Sequence, residues 1–201
     1  CRLTLNGFSG LEALSDKHCL PFDADRSGIN IGEAASIMLL SHTPAKVALL
    51  GAGDSSDAHH ISAPHPEGLG AEEAMNKALS NAGLTAEDIG YINAHGTATP
   101  LNDSMESKAI FRCFGDAVSV SSTKPLTGHT LGAASATEAA IAWHILNYDL
   151  DLPVQHCANK AEDIEISLVE APSKLGGKAI LSNSFAFGGN NVSLIFGYAH
   201  D

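Results

Sequence analysis

Three short stretches of the chain gather side chains able to handle a carbonyl group. The first is Asn93-Ala94-His95-Gly96-Thr97-Ala98-Thr99-Pro100 and the second is Ser121-Ser122-Thr123-Lys124-Pro125-Leu126-Thr127-Gly128-His129. The third is Ser182-Asn183-Ser184-Phe185-Ala186-Phe187-Gly188-Gly189-Asn190-Asn191. Each stands at a strand-to-loop junction, where α/β folds tend to build sites. Taken singly, each has an ordinary structural reading: His95 as a satisfied core histidine, Lys124 as a solvated charge, the Gly188-Gly189 pair as a turn. Brought together, two imidazoles and an ammonium beside glycine-rich loops would hold negative charge on a carbonyl oxygen. Preorganised donors act most strongly where such charge develops.

The elements that must position these stretches can be read from periodicity. Residues 7–14 predict a short helix, followed by a loop through Cys19 and Pro21 and a polar turn, Phe22-Asp23-Ala24-Asp25-Arg26-Ser27-Gly28. Residues 34–40 and 47–50 are apolar runs of buried-strand length, and 51–70, with many Gly, Ser, Pro and His, predicts a loop. The spacing of Ala74, Ala78, Leu79 and Ala82 predicts a helix over 72–82, closed by Gly83. A strand over 89–94 leads into the first reactive stretch. A helix over 103–114 follows it, with Asp103 and Glu106 near its positive end. A short strand over 118–121 leads into the second stretch. Residues 131–146 predict a long Ala-rich helix with apolar or small residues round much of its circumference, the pattern of a helix buried on several sides. Strands over 166–169, 178–183 and 192–196 close the chain. This alternation predicts a layered α/β architecture in one domain, residues 1–201.

Composition narrows the function. The 201 residues carry 11 Lys+Arg against 23 Asp+Glu, a net charge of −12, with 44% hydrophobic and 17% charged residues. That is ample for a substantial core. A chain this acidic, without clustered Lys and Arg, offers no general nucleic-acid surface. No apolar run is long enough for a membrane span, and a soluble cytoplasmic protein is expected. Cys1, Cys19, Cys113 and Cys157 are scattered, with no C-x-x-C pair, and predict free thiols. Asp23-x-Asp25-x-Ser27-Gly28 opens like a calcium loop, but its twelfth position is Ala34, with Glu33 one place short, so a polar turn is the reading. His59, His60 and His65 lack the ligand spacing of a zinc site and read as loop histidines. The sequons at Asn102 and Asn191 carry no meaning without a secretory signal.

In their order and separations, the three reactive stretches resemble the C-terminal half of a β-ketoacyl-acyl-carrier-protein synthase, an elongating condensing enzyme of the thiolase-fold superfamily. Upstream, Pro21-Phe22-Asp23-x-x-Arg26-Ser27-Gly28-Ile29-x-Ile31-Gly32-Glu33 and Gly53-Asp54-Ser55-Ser56-Asp57-Ala58-His59-His60 resemble further stretches of that family, so the likeness covers nearly the whole chain. It implies a thiolase-like layered fold, here the C-terminal half only, and a parent that joins a malonyl-derived unit to an acyl thioester. In the family a cysteine holds the acyl chain, and two histidines assist decarboxylation of malonyl-carrier protein. The resemblance makes His95 and His129 those histidines, Lys124 the buried lysine beside them and Glu138 its carboxylate partner, with Asp103 and Glu106 in support. Thr97 and Thr99 match hydroxyls that bind the phosphopantetheine arm, and Phe187 matches a gating phenylalanine on a glycine-rich loop. Asn93, Glu138, Ser182 and Asn183 resemble residues around a structural sodium or potassium ion. No other cofactor is implied, since phosphopantetheine arrives on the acyl carrier protein, the implied partner.

Departures from the family pattern carry expectations too. The nucleophilic cysteine belongs to the family's N-terminal half, upstream of Cys1. The chain alone is therefore expected to be an inactive fragment whose first partner is the missing N-terminal half. Gly128-His129-Thr130 stands for the usual GHL, Gly188-Gly189-Asn190-Asn191 for the usual GGTN, and Glu12 where relatives often carry an arginine that docks the acidic carrier. The resemblance also implies a homodimer or heterodimer of synthase subunits. An alternative is the non-catalytic chain-length-factor type of subunit. A partner under no catalytic demand has no physical reason to keep His95, His129 and Lys124 together, so the enzyme is favoured. A stand-alone binding module would need this chain to be stable by itself.

Overall fold

Six strands form one sheet in the computed structural model, which describes residues 1–199. They are β1 (Val47–Ser56), β2 (Ile89–Asn93), β3 (Ser119–Ser121), β4 (Ser167–Leu168), β5 (Ala179–Ala186) and β6 (Asn190–Tyr198), in the spatial order β1-β6-β5-β2-β3-β4. β5, β2, β3 and β4 run parallel, while β6 pairs antiparallel with both β5 and β1. The helices are α1 (Arg2–Gly10), α2 (Leu69–Ala82), α3 (Pro100–Phe114), α4 (Lys124–Thr127) and α5 (Ala134–Tyr148). Strand alternation divides the core into two layers. Ile92 and Leu181 pack with Met75 of α2 and Ile110 of α3, while Tyr91 and Ile180 pack with Ala142 and Ile145 of α5. This is the layered α/β arrangement that the alternation predicts. No described helix is long and apolar enough to cross a membrane.

The glycine-rich start of the expected 51–70 loop is strand instead: β1 continues through Gly51 and Gly53 to Ser56. Glycine marks close packing there. A Cβ on Gly51 would lie 2.4 Å from the Ala78 carbonyl oxygen, and one on Gly53 would lie 2.1 Å from that of Ala74. Only backbone fits between β1 and α2. The first helix also differs from expectation, beginning at Arg2 and ending at Gly10, after which Glu12 takes a positive φ of 53°.

Residues 34–40 do not form the buried strand expected of them. The segment belongs to no described strand and leaves Ile37, Leu39 and Leu40 exposed, Ile37 by 98%. A run that is apolar on both faces of its pleat needs sheet neighbours and a covering layer on each side. The described residues supply neither. α5 is likewise buried on one side, through Ala134, Glu138, Ala139, Ala142, Ile145 and Leu146, with Trp143 half-buried and His144 and Tyr148 exposed. Its expected first turn, Leu131–Ala133, is a 3-10 turn. All four cysteines are free.

Candidate active site

The parallel strands β2 and β3 end side by side, Asn93 pairing with Ser121, and release the first two reactive loops together. The loop after β2 is anchored by one carboxylate. The N–H groups of His95 and Gly96 donate to Glu106 Oε1 and Oε2, each at 2.7 Å. Asp103, also on α3, accepts the Phe22 N–H at 2.9 Å and so fixes the 21–28 turn beside the site. Burial pushes both carboxyls up, Asp103 to about 6 and Glu106 to about 7, against the N–H groups that favour the charged form.

The loop after β3 carries the cation. Lys124 Nζ meets Glu138 Oε1 of α5 at 2.6 Å, with both side chains 2% exposed. Beyond α4, Gly128 turns with φ at +69° and lets the chain cross Gly32, where a Cβ would come within 2.2 Å of the Thr127 carbonyl oxygen. His129 is then held by its backbone: its N–H donates to the Asn30 carbonyl at 2.7 Å, and its carbonyl accepts the Gly32 N–H at 3.0 Å. Its ring Nδ1 accepts the Leu131 N–H at 3.3 Å, which places the ring proton on Nε2.

The two imidazoles meet edge to face, with ring centroids 5.3 Å apart and planes at 84°. Phe185 closes one side of His95 at 5.9 Å. His95 Nδ1 is buried with no hydrogen-bond partner. A proton there would be a stranded donor, so the N–H belongs on Nε2 here as well. Burial, reinforced by the nearby Lys124 charge, lowers the proton affinity of both rings, His95 well below the ordinary value and His129 to about 3. At neutral pH the pair is uncharged. It is a pair of N–H donors, His95 buried and His129 half-buried, under a positive field, the arrangement that stabilises an oxyanion.

Residues 47–158 match the sequence profile of the β-ketoacyl synthase C-terminal domain. The chain belongs to that family. It is 42% identical over 214 residues to 3-oxoacyl-[acyl-carrier-protein] synthase 2 of Rhizobium meliloti, a match covering 97% of this chain and 51% of that protein. The protein of the same name from Vibrio cholerae is 40% identical, with 96% and 52% covered. The fold matches a chain in the solved complex of a ketosynthase (ApeO) with its chain length factor (ApeC) from Xenorhabdus doucetiae, with a TM-score of 0.95 and 52% identity, covering 98% of this chain and 50% of that one. It also matches a β-ketoacyl synthase from Burkholderia phymatum, with a TM-score of 0.88 and 30% identity, covering 100% of this chain and 52% of that one. The chain thus spans about half the length of the relatives it matches, and its thiolase-like fold is that of their C-terminal half.

The remaining expected residues of this β-ketoacyl synthase C-terminal domain fall into two groups. Thr97 and Thr99 follow His95 in the same loop, and their hydroxyls bond each other at 2.8 Å. Phe187 sits at the tip of the β5–β6 hairpin, half exposed and stacked on Phe8 of α1 at 6.0 Å, with Gly188 and Gly189 at φ +85° and +76°. Asn93 and Ser182 are register partners, and alternation turns both to the α5 face, where Glu138 lies. Glu138 Oε2 is buried without a hydrogen-bond partner, which suits a cation. The Asn183 side chain does not join them. The same alternation points it to the opposite face, where it donates to Glu106 Oε1 at 3.3 Å and accepts the Ser193 hydroxyl at 2.7 Å.

Sequence reading missed three participants. Asp57 accepts the Asn191 amide at 2.7 Å and donates its N–H to the Gly189 carbonyl at 2.8 Å, tying the hairpin tip to the loop after β1. Ser122 and Gln155 are buried, Ser122 bonding the Gly96 carbonyl of the His95 loop and Gln155 joining the Ser122 N–H to the Pro21 carbonyl. Asp57 and Ser122 lay inside the quoted motifs, where their polarity was the available signal; Gln155 had none.

Proposed function

We propose that the protein containing this ketosynthase domain catalyses the decarboxylative condensation of a malonyl thioester, carried on acyl carrier protein, with an acyl thioester in fatty-acid, related lipid or polyketide synthesis. One observation carries the reading: a buried and a half-buried imidazole, both held neutral, set edge to face at 5.3 Å beside a buried ammonium. Loss of CO2 breaks the bond between the malonyl α-carbon and its carboxylate. The electron pair stays on the α-carbon and is shared with the thioester oxygen. Nε2–H groups of His95 and His129 bond that oxygen, and Lys124 adds favourable charge. The α-carbon then attacks the acyl thioester carbonyl, a carbon–carbon bond forms, and the thiolate leaves.

The thiol that holds the acyl group is supplied by a segment outside this chain, so the chain alone does not turn over. Thr97 and Thr99 bond the phosphopantetheine arm, and Phe187 gates its entry. A structural monovalent cation would be held by Glu138, Asn93 and Ser182, adding positive charge beneath the site. Relatives named for the acyl carrier protein support that substrate carrier, and a cytoplasmic setting is part of the same proposal. The test is CO2 release and β-ketoacyl product formation by the purified intact protein given malonyl- and acyl-carrier protein. Absence of both with every chain length tried would overturn the proposal.

A second reading is favoured by a specific observation: one similar structure is a ketosynthase in complex with its chain length factor. Homodimer and heterodimer are both compatible with it. A non-cysteine residue at the nucleophile position of the intact protein, with turnover restored only by a catalytic partner, would establish the chain-length-factor role.

A further inference from the structure

We infer that Ser122 is a positioning residue whose hydroxyl ties the His95 loop to the Lys124–His129 loop and thereby sets how the two imidazoles converge. The inference rests on the condensing activity proposed above. Gly96 is gripped through both of its backbone groups: its N–H donates to Glu106 Oε2 at 2.7 Å, and its carbonyl accepts the Ser122 Oγ–H at 2.7 Å. The same hydroxyl oxygen accepts the Lys124 N–H at 3.3 Å. One small side chain therefore links the residue next to His95 with the residue that starts the turn leading to His129.

Ser122 is itself fixed in place. Its N–H donates to Gln155 Oε1 at 2.8 Å, and Gln155 Nε2 donates to the Pro21 carbonyl at 3.3 Å. Both side chains are buried, so water cannot replace a lost bond at little cost. The contact is tight as well as polar, since a Cβ on Gly96 would lie 2.5 Å from Ser122 Cβ. Without the hydroxyl, the Gly96 carbonyl and the Lys124 N–H both lose their partner, and the His95 loop can shift relative to His129. Where catalysis depends on alignment, a displacement of about 1 Å costs on the order of 100-fold in rate.

The test follows CO2 release from malonyl-carrier protein by the intact protein. Ser122→Ala is expected to lower kcat roughly 10- to 100-fold while KM stays within about twofold, in a protein that still folds and melts several degrees lower because two buried backbone groups lose their partner. Ser122→Thr and Ser122→Val share one shape and differ in the hydroxyl, and the Thr variant is expected to keep about tenfold more activity than the Val variant. Equal rates for Thr and Val would overturn the inference. Loss of folding in both Ala and Val variants would also overturn it, because the hydroxyl would then be a determinant of the fold. Imidazole nitrogen spectra separate this failure from failure of the activity reading. A wild-type protein that releases no CO2 sinks the activity, whereas Ser122→Ala spectra with unmoved His95 and His129 resonances sink the positioning role alone.

Discussion

Removing the Glu138 carboxylate should expose the cost of the buried charge that serves the site. Lys124 Nζ lies 2.6 Å from Glu138 Oε1, and both side chains are 2% exposed. Glu138→Ala leaves an ammonium in the interior without its counter-charge, a change that costs about 3–5 kcal/mol. At roughly 2–4 °C per kcal/mol for a domain of this size, the melting temperature should fall by about 6–20 °C. The double variant Lys124→Met/Glu138→Leu replaces the pair with apolar groups of similar volume, and should melt within about 1 kcal/mol of the wild type or above it. Thermal melts of the three proteins, followed by circular dichroism, make the comparison.

The double variant also removes the charge that helps to keep His95 and His129 neutral. The pKa of His129 should rise from about 3, while staying below the ordinary value because burial, the larger cause, remains. A depressed histidine adds stability that is complete above its unfolded value of roughly 6.5 and is lost as pH falls toward the folded one. The double variant should therefore hold its fold further into acid than the wild type does. A Glu138→Ala protein melting within about 2 °C of wild type, or a double variant as damaged as the single, would refute the reasoning.

Other outcomes follow from the same geometry. His95→Ala or His129→Ala should reduce CO2 release from malonyl-carrier protein by roughly 100-fold or more, the loss expected for a preorganised oxyanion donor, whereas His65→Ala should leave the rate nearly unchanged. Because both pKa values are pushed down, the ring resonances of His95 and His129 should stay flat between about pH 5 and 8 in a nuclear magnetic resonance titration; a sigmoid centred near neutrality would contradict neutral donors. The 201-residue chain purified by itself should associate in sedimentation, driven by Ile37, Leu39 and Leu40 on its surface. A monodisperse, cooperatively unfolding monomer would revive the stand-alone module.

Where hydrophobic periodicity met a single covering layer, the fold was legible. Ala74, Ala78 and Leu79 of α2 pack on β1 and β6 as their spacing predicts, and Gly83 closes the helix with φ at +65°. Legibility failed where glycine has two meanings. Gly51 and Gly53 read as loop residues from sequence, yet they are strand positions left empty so that the α2 backbone can come close. Residues 34–40 failed for a different reason. Their pattern does describe a strand buried on both faces, but a pattern states what a segment needs, and the described residues do not provide it.

For the site, the same distinction separates side chains that the proposed chemistry uses from those that hold the loops. His95, Lys124 and His129 stood out because imidazole and ammonium groups at strand ends have a specific chemical use. Glu138 was matched to Lys124 through the family likeness, and a buried charge does require a counter-charge. Alternation fixes the relative faces of the strand residues: with Tyr91 and Ile180 found on the α5 side, Asn93 and Ser182 must join them and Asn183 must oppose them. Alternation shows that the Ser182 and Asn183 side chains cannot both join the cation set, and the register decides that Asn183 is the one left out. Ser122 and Gln155 lie beyond such reasoning, since their work is done through backbone groups of residues 21, 96 and 124. No local pattern marks which carbonyl a buried hydroxyl will reach across 26 residues, because that partner is set by where β2 and β3 end. Residues assigned to the proposed chemistry are thus announced by their side chains, and residues that align them become visible only when the loops are seen to cross.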